Sequence, residues 1–376
     1  MNYSILILDA DGTQMLPVAE TLCRQRYILH GFYNHKLSYG YGCRYVKFKN
    51  IIHYSSEDNY VKDILDYAKN FNIDVLFPMS DRTAAIISKY REILKERFHF
   101  VTPDYDAFCL GYDKNSLMHV CAENNIPHPR TIDLEDKENV DESIFPALIK
   151  PNITTGGRGM VLVHSITQIK EQYGACHLQE FIQSGGKQIK VQLFVNDKSE
   201  LLYFSVLHKQ RYYPENGGSS SCNKTILDEK VVQYCHKVLQ NIHWIGFADF
   251  DLIEDPKDGI LKIMEINPRV PACVKSAIKS GTDYARIYVD YALGNSMQEY
   301  ISLPGYKLRH LGFEILWFLH SKERFKTKPS WFHFWGHKMY YQDFSLRDPL
   351  PFIYGTLANI KKQLSPSFRK QKTGLR

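Results

Sequence analysis

Apolar and polar positions alternate along the chain in two different rhythms. Over residues 1–105, short apolar runs are separated by stretches whose apolar residues recur every three to four positions. Ile5-Leu-Ile-Leu8, Tyr27–Tyr33, Tyr45–Phe48, Asp74–Met79 and Phe98–Thr102 read as strands. Leu16–Cys23, Tyr60–Lys69 and Thr83–Leu94 read as helices. Strands alternating with helices predict a parallel α/β sheet covered on both faces. From residue 106 on, the strands are longer and come in pairs joined by turns, with helices at Asp113–Cys121, 229–242, Val274–Gly281 and Tyr284–Leu293. That pattern predicts an α+β arrangement. Residues 306–360 are rich in large aromatics, which generally bury surface in a core or an interface.

The most informative stretch is 246–270. Gly246-Phe-Ala-Asp-Phe-Asp-Leu-Ile and Ile263-Met-Glu-Ile-Asn-Pro-Arg-Val flank Asp255-Pro-Lys-Asp-Gly259, a β-hairpin signature. Period-two alternation puts Asp249 and Asp251 on one face of the first strand, and Glu265 and Asn267 on one face of the second. Pairing the strands gathers Asp251, Glu265 and Asn267 into an oxygen-only set that suits Mg²⁺. Arg269, two residues further, can meet an anion. A solvated polar face on a half-buried strand accounts for the same alternation.

Upstream lie groups that suit phosphate. Lys114 opens a helix after Asp113, and Lys150 ends the strand Phe145-Pro-Ala-Leu-Ile-Lys150. The loop Asn152-Ile-Thr-Thr-Gly156-Gly157-Arg158-Gly159 follows. Its glycines admit close approach of backbone N–H groups, and Arg158 adds charge. The spacing is neither that of a P-loop nor that of a dinucleotide fingerprint. His208–Ser221 reads as a long polar loop, in which Lys209 and Arg211 are anion-binding candidates. Ser80-Asp81-Arg82-Thr83 follows a strand end, where Ser80 or Asp81 can cap a helix or meet a substrate.

Composition adds limits. With 376 residues and 44% hydrophobic content, the chain is folded and divides into two or three domains. A net charge of +6 is mild and does not by itself imply nucleic acid. Eight cysteines without a Cys-x-x-Cys pair read as reduced thiols of a cytoplasmic protein. No stretch has membrane-spanning length. Residues 361–376 hold six Lys or Arg and no acidic residue, a solvated end able to touch an anionic surface weakly.

Taken together and in this order, these segments resemble the ATP-grasp superfamily, nearest its carbamoyl-phosphate-synthase-like and carboxylate–amine ligase branches. The resemblance covers roughly residues 1–300. It implies an N-terminal parallel α/β domain (1–105), a small lid domain (106–182) and a larger domain with the Mg²⁺ site (183–300). An aromatic-rich extension with the basic tail follows (301–376). It implies ATP and Mg²⁺ (or Mn²⁺) as cofactors, with Asp251, Glu265 and Asn267 on the metal and Lys114 and Lys150 on phosphates. Gly156, Gly157, Arg158 and Gly159 would form the phosphate lid. Gln179, Glu180, Phe181 and Ile182 would read adenosine, and Gln188 stands where relatives place an acidic ribose contact. Arg269, with Lys209 and Arg211, would serve the transferring phosphoryl group or the acceptor. The implied reaction joins a small-molecule carboxylate to an amine or other nucleophile through an acyl phosphate, and the resemblance leaves a homodimer open.

Three other readings share these residues. An ATP-grasp kinase would stop after phosphorylation. A regulatory protein would only bind nucleotide. Asp9-Ala-Asp-Gly-Thr13, at a strand end, resembles the nucleophile motif of haloacid-dehalogenase-type phosphatases, although the stretch also reads as a turn lining the cleft.

Overall fold

A computed structural model describes residues 3–134, 140–153, 159–169, 174–214 and 219–364. The first unit is a four-stranded parallel sheet in the order β3-β2-β1-β4. Its strands are β1 (Ser4–Leu8), β2 (Ile28–Tyr33), β3 (Phe48–Ile51) and β4 (Val75–Pro78). α1 (Met15–Arg24), α2 (Glu57–Asn70), α3 (Asp81–Lys89) and the short α4 (Arg91–Leu94) surround it. All five β1 residues are buried, as a strand covered on both faces requires. The helix expected over Thr83–Leu94 breaks at Tyr90 into α3 and α4. The third strand starts three residues later than the sequence suggested, at Phe48. Phe98–Thr102 contributes only a bridge between Val75 and His99.

α5 (Tyr105–Tyr112) and α6 (Lys114–Glu123) lead to a second sheet in the order β5-β8-β6-β7. Its strands are β5 (Thr131–Asp133), β6 (Ala147–Pro151), β7 (Val161–Val163) and β8 (Cys176–Glu180). Ala147, Ile149, Val163 and Leu178 give it a small core of its own.

The third sheet has seven strands in the order β13-β12-β9-β10-β11-β14-β15. These are β9 (Gln188–Val195), β10 (Leu201–Tyr213), β11 (Ser219–Ile226), β12 (Gly246–Glu254), β13 (Leu261–Asn267), β14 (Lys307–Arg309) and β15 (Met339–Tyr341). α7 (Glu229–Asn241) packs on one side, while α8 (Val274–Ser280) and α9 (Tyr284–Ala292) join it to α1. α10 (Leu311–His320) and α11 (Leu350–Leu364) follow.

Two sequence expectations change here. The segment expected as a long loop over 208–221 is a β-hairpin: β10 runs on to Tyr213 and pairs with β11 through Tyr213↔Ser219. The alternation of its side chains was hidden by polar residues on both faces. The segment from 301 on, expected as an appendage, supplies β14 and β15 to the large sheet. It then straps the first unit, where Gln342 donates to Thr13 Oγ1 at 2.8 Å and the Arg44 N–H to Asp348 at 3.1 Å.

Candidate active site

Local structure aims the side chains. Asp113 caps α6 by accepting from the Ser116 N–H at 2.9 Å, which fixes Lys114 as the first helical residue. The Lys114 N–H donates to the carbonyl of Asn152 at 3.0 Å, tying the helix to the end of β6. Leu148 lies opposite Gln179 in the β6–β8 register. Lys150 therefore reaches Gln179 diagonally on the same face and donates to its Oε1. The ammonium of Lys114 lies 3.4 Å from Glu265 of β13. Lys114, Lys150 and Glu265, far apart in the sequence, thus face one another.

Electrostatics supports that convergence. Burial lowers Lys150 to about 8, with Glu265 opposing and Lys114 adding to the shift. His177, opposite Lys150 on β8, is pushed down to about 3 by burial and by the two lysines, so it is neutral. A pocket that penalises its own cations gains by taking an anion.

On the hairpin, Asp249 lies opposite Asn267 and Asp251 opposite Glu265, with an irregularity just beyond Asp251. Such irregularities often re-aim side chains beside functional sites. The predicted ligands are brought together, since Asn267 Nδ2 donates to Asp251 Oδ2 at 3.2 Å. Asp251, however, is committed to lysines. Lys190 Nζ lies 2.8 Å from its Oδ2 and Lys209 Nζ 2.6 Å from its Oδ1. Lys190 also lies 2.5 Å from the fully buried Asp249. Burial would lower Lys190, but Asp249 and Asp251 together hold it above its ordinary value. Burial raises Asp249 to about 6, while Asp251 falls below the carboxylate range because the two lysines outweigh its burial.

The donor set is oxygen-only, as a hard cation requires. Glu265, with a side chain about one-third exposed, and Asn267 fit a cation held by one or two protein ligands together with phosphate oxygens. Asp251 does not fit the ligand role expected for it, because both its oxygens already meet ammonium groups. Among the described residues no three His, Cys, Asp or Glu form a ready metal cage.

Other expected residues are placed as follows. Gln179 and Glu180 close β8, and the Glu180 carboxylate pairs with Lys262 at 2.8 Å. The Phe181 N–H donates to the carbonyl of Pro146. Ile182 follows, half-buried, and Gln188 opens β9 opposite Lys209. Gly159 has φ 74°, which glycine alone tolerates readily. Gly156, Gly157 and Arg158 lie outside the described residues, as do Gly217, Gly218 and residues 365–376 of the basic tail. Arg211 is away from the site: it forms a bidentate pair with Glu314 at 2.7 and 2.9 Å, wholly buried.

Arg269 opens a second space, a cleft of about 640 Å³ lined also by Asp9, Gln14, Ser80, Asp81, Arg82 and Tyr112. Its guanidinium pairs with Asp81 at 2.9 Å. Asp9 stands at φ 56°, with its carboxylate held by Arg82 at 2.6 Å and by the Ser80 hydroxyl at 2.5 Å. Ser80 also caps α3 in a reciprocal capping box with Thr83, so both roles weighed for it involve the same hydroxyl. Tyr112 also lines this cleft, and burial, with Asp81 adding to it, raises its phenol to about 12.

Sequence reasoning missed three of these residues. Asp249 shares the face of Asp251, but alternation alone assigns it no partner. Lys190 was legible from the same alternation, two positions from Gln188 on β9. Tyr112 carried no signal in the sequence, because its role arises only where α5 meets β13.

Residues 112–273 match the ATP-grasp domain family. The match takes in the second sheet, β9 to β13 and the site residues from Tyr112 to Arg269. Among relatives, a D-aspartate ligase of Enterococcus faecium is 25% identical over 222 residues, covering 52% of this chain and 53% of that protein. A carbamoyl phosphate synthase large chain of a Thermotoga strain is 24% identical over 282 residues, covering 67% of this chain and 25% of that one. The chain thus spans about half the length of the first relative and a quarter of the second. A biotin carboxylase of Campylobacter jejuni, solved in complex with an ATP analogue, superposes with a TM-score of 0.65. It is 18% identical, with 80% of this chain and 72% of that one covered.

Proposed function

We propose that the protein is an ATP- and Mg²⁺-dependent ligase that joins a carboxylate to an amine through an acyl phosphate. The observation that carries the reading is the meeting of buried Lys114 and Lys150 with Glu265, while Tyr112 and Arg269, close to Lys114 and Glu265 along the chain, line the cleft. Lys114 and Lys150 hold the ATP phosphates by charge-assisted hydrogen bonds. The chain at 179–182 reads the base through its backbone, and the glycines at 156–159 with Arg158 cover the phosphates. Glu265 and Asn267 hold Mg²⁺, which when bound offsets charge on the transferring phosphoryl group.

Asp251 holds Lys190 and Lys209, and Asp249 holds Lys190, beside the phosphates. Arg269 orients the acceptor carboxylate for attack on the γ-phosphorus. That step forms the C–O–P linkage and releases ADP. An amine then attacks the acyl carbon and phosphate leaves. Asp9, Asp81 and Arg82, at the strand ends of the first sheet, offer both charge signs to an amino acid in the cleft. An amino acid accordingly suits one of the two substrate positions, which agrees with the name of the ligase relative. The space between residues 106–182 and 183–300 then takes the nucleotide.

The test is ADP release in the presence of single amino acids and pairs of them, with mass analysis of products. Release that depends on a carboxylate and an amine, with an amide product, supports the reading. ADP formed with a phosphorylated product and no ligation makes the protein a kinase. Ester hydrolysis without ATP, lost in Asp9→Asn, restores the phosphatase reading.

A further inference from the structure

α11 presents an apolar face with no cover among the described residues. Leu350, Ile353, Leu357, Ile360 and Leu364 are 47 to 72% exposed. Their spacing of three and four residues places them within an arc of about 80° on the helix. The opposite side is the one that docks. Pro351 and Gly355 are buried, and a Cβ at Gly355 would enter the ring of Tyr39. Asn359 donates to the Tyr39 hydroxyl at 3.0 Å. The helix is thus held against the loop at 38–44 with its apolar stripe turned outward.

Charge is segregated onto the same segment. Residues 350–376 contain Lys361, Lys362, Arg369, Lys370, Lys372 and Arg376, and no Asp or Glu. The whole chain exceeds neutrality by six positive charges, so all of that excess resides here and the rest of the chain is balanced. An outward apolar stripe continued by a purely basic stretch is the composition of a helix that lies in a lipid interface.

We propose that α11 docks the protein on an anionic membrane surface. The stripe enters the boundary between headgroups and acyl chains, and the cations meet acidic lipid. A second copy of the chain fits less well, because pairing two stripes would bring two segments of charge +6 together. Nucleic acid would leave the apolar stripe unused.

Co-sedimentation of the full chain with lipid vesicles tests this. Phosphatidylcholine vesicles are compared with vesicles containing one quarter phosphatidylglycerol, at low and high salt. Binding to the acidic vesicles is expected, at least tenfold stronger than to neutral ones and weakened by salt. Lys361→Gln with Lys362→Gln should reduce partitioning by roughly 25-fold, at about fivefold per cation removed. Leu357→Glu with Ile360→Glu should abolish it without moving the melting temperature, since both side chains face outward. Equal binding to neutral and acidic vesicles, no binding to either, or an unaffected stripe variant overturns the proposal. So does a dimer in sedimentation equilibrium that Leu357→Glu dissociates, which assigns the stripe to a second copy.

Discussion

Replacing Glu265 with Gln should change nucleotide affinity in opposite directions with and without a divalent cation. The carboxylate lies 3.4 Å from the Lys114 ammonium and also acts on Lys150. Without a metal it competes with a polyphosphate for both lysines. Two opposite charges at that separation attract by about 5 kcal/mol in a partly shielded setting. Glu265 is about one-third exposed, so solvent reduces the net effect to about 1 kcal/mol. Glu265→Gln in EDTA should therefore bind an ATP analogue about fivefold more tightly than the parent. With saturating Mg²⁺ the sign reverses, because a metal ligand is gone: binding weakens and turnover falls on the order of a hundredfold. Titration of a fluorescent ATP analogue under both conditions decides it. Equal weakening in EDTA and in Mg²⁺ would show that Glu265 serves packing and faces no cation, and the reasoning would fail.

Lys150→Ala and Lys114→Ala should each weaken ATP binding about tenfold to a hundredfold, and the double variant by less than the product, since they share one polyphosphate. Parent-like affinity in Lys150→Ala would remove that lysine from the site. Lys190→Met leaves Asp249 and Asp251 without their shared ammonium and should cost about 3–5 kcal/mol in urea unfolding. Adding Asp249→Asn and Asp251→Asn should recover most of it. Arg211→Met should lower the melting temperature yet leave ATP affinity intact, because Arg211 serves Glu314 and not the nucleotide. Lys275 is lowered to about 8 by burial and by Lys279, against an ordinary 10.5. The unfolded chain binds the extra proton between those values, so stability should rise with pH from about 8 to 10.5. In Lys275→Met that rise should shrink, as unfolding midpoints across this range will show.

The sequence made the fold legible where side-chain period and burial agree. β1, β12 and β13 carry clean patterns, and the hairpin turn closes as expected, with the Gly259 N–H donating to the Asp255 carbonyl at 2.8 Å. It failed where both faces of a strand are polar, as in β10 beyond Leu207, whose partners lie a hundred residues away in Glu314 and Pro329. The convergence of Lys114, Lys150 and Glu265 was expected only through resemblance, because no local pattern relates positions so far apart. The pairing of Asp251 with Lys190 and Lys209 was out of reach for a related reason. Alternation reports which face a side chain takes, but whether a carboxylate meets a metal or an ammonium depends on the strand beside it.

The strap formed by residues 307–348 has a bearing on how the chain is made and cut. The family match ends at residue 273, yet β11 finds its outer neighbour only when β14 arrives, and Arg211 finds Glu314 only then. A fragment ending near residue 300 would expose an open strand edge and a buried guanidinium with no counter-charge, both routes to aggregation. During synthesis the first sheet can close early on its own strands, but Thr13 and Arg44 must wait for Gln342 and Asp348, the latter some three hundred residues behind its partner. The nascent middle of the chain therefore spends its longest exposed interval just before the aromatic segment emerges. A shortened version meant for crystallisation or activity work should keep everything through α11, whose Gly355 and Asn359 seat on Tyr39, and be trimmed, if at all, beyond it.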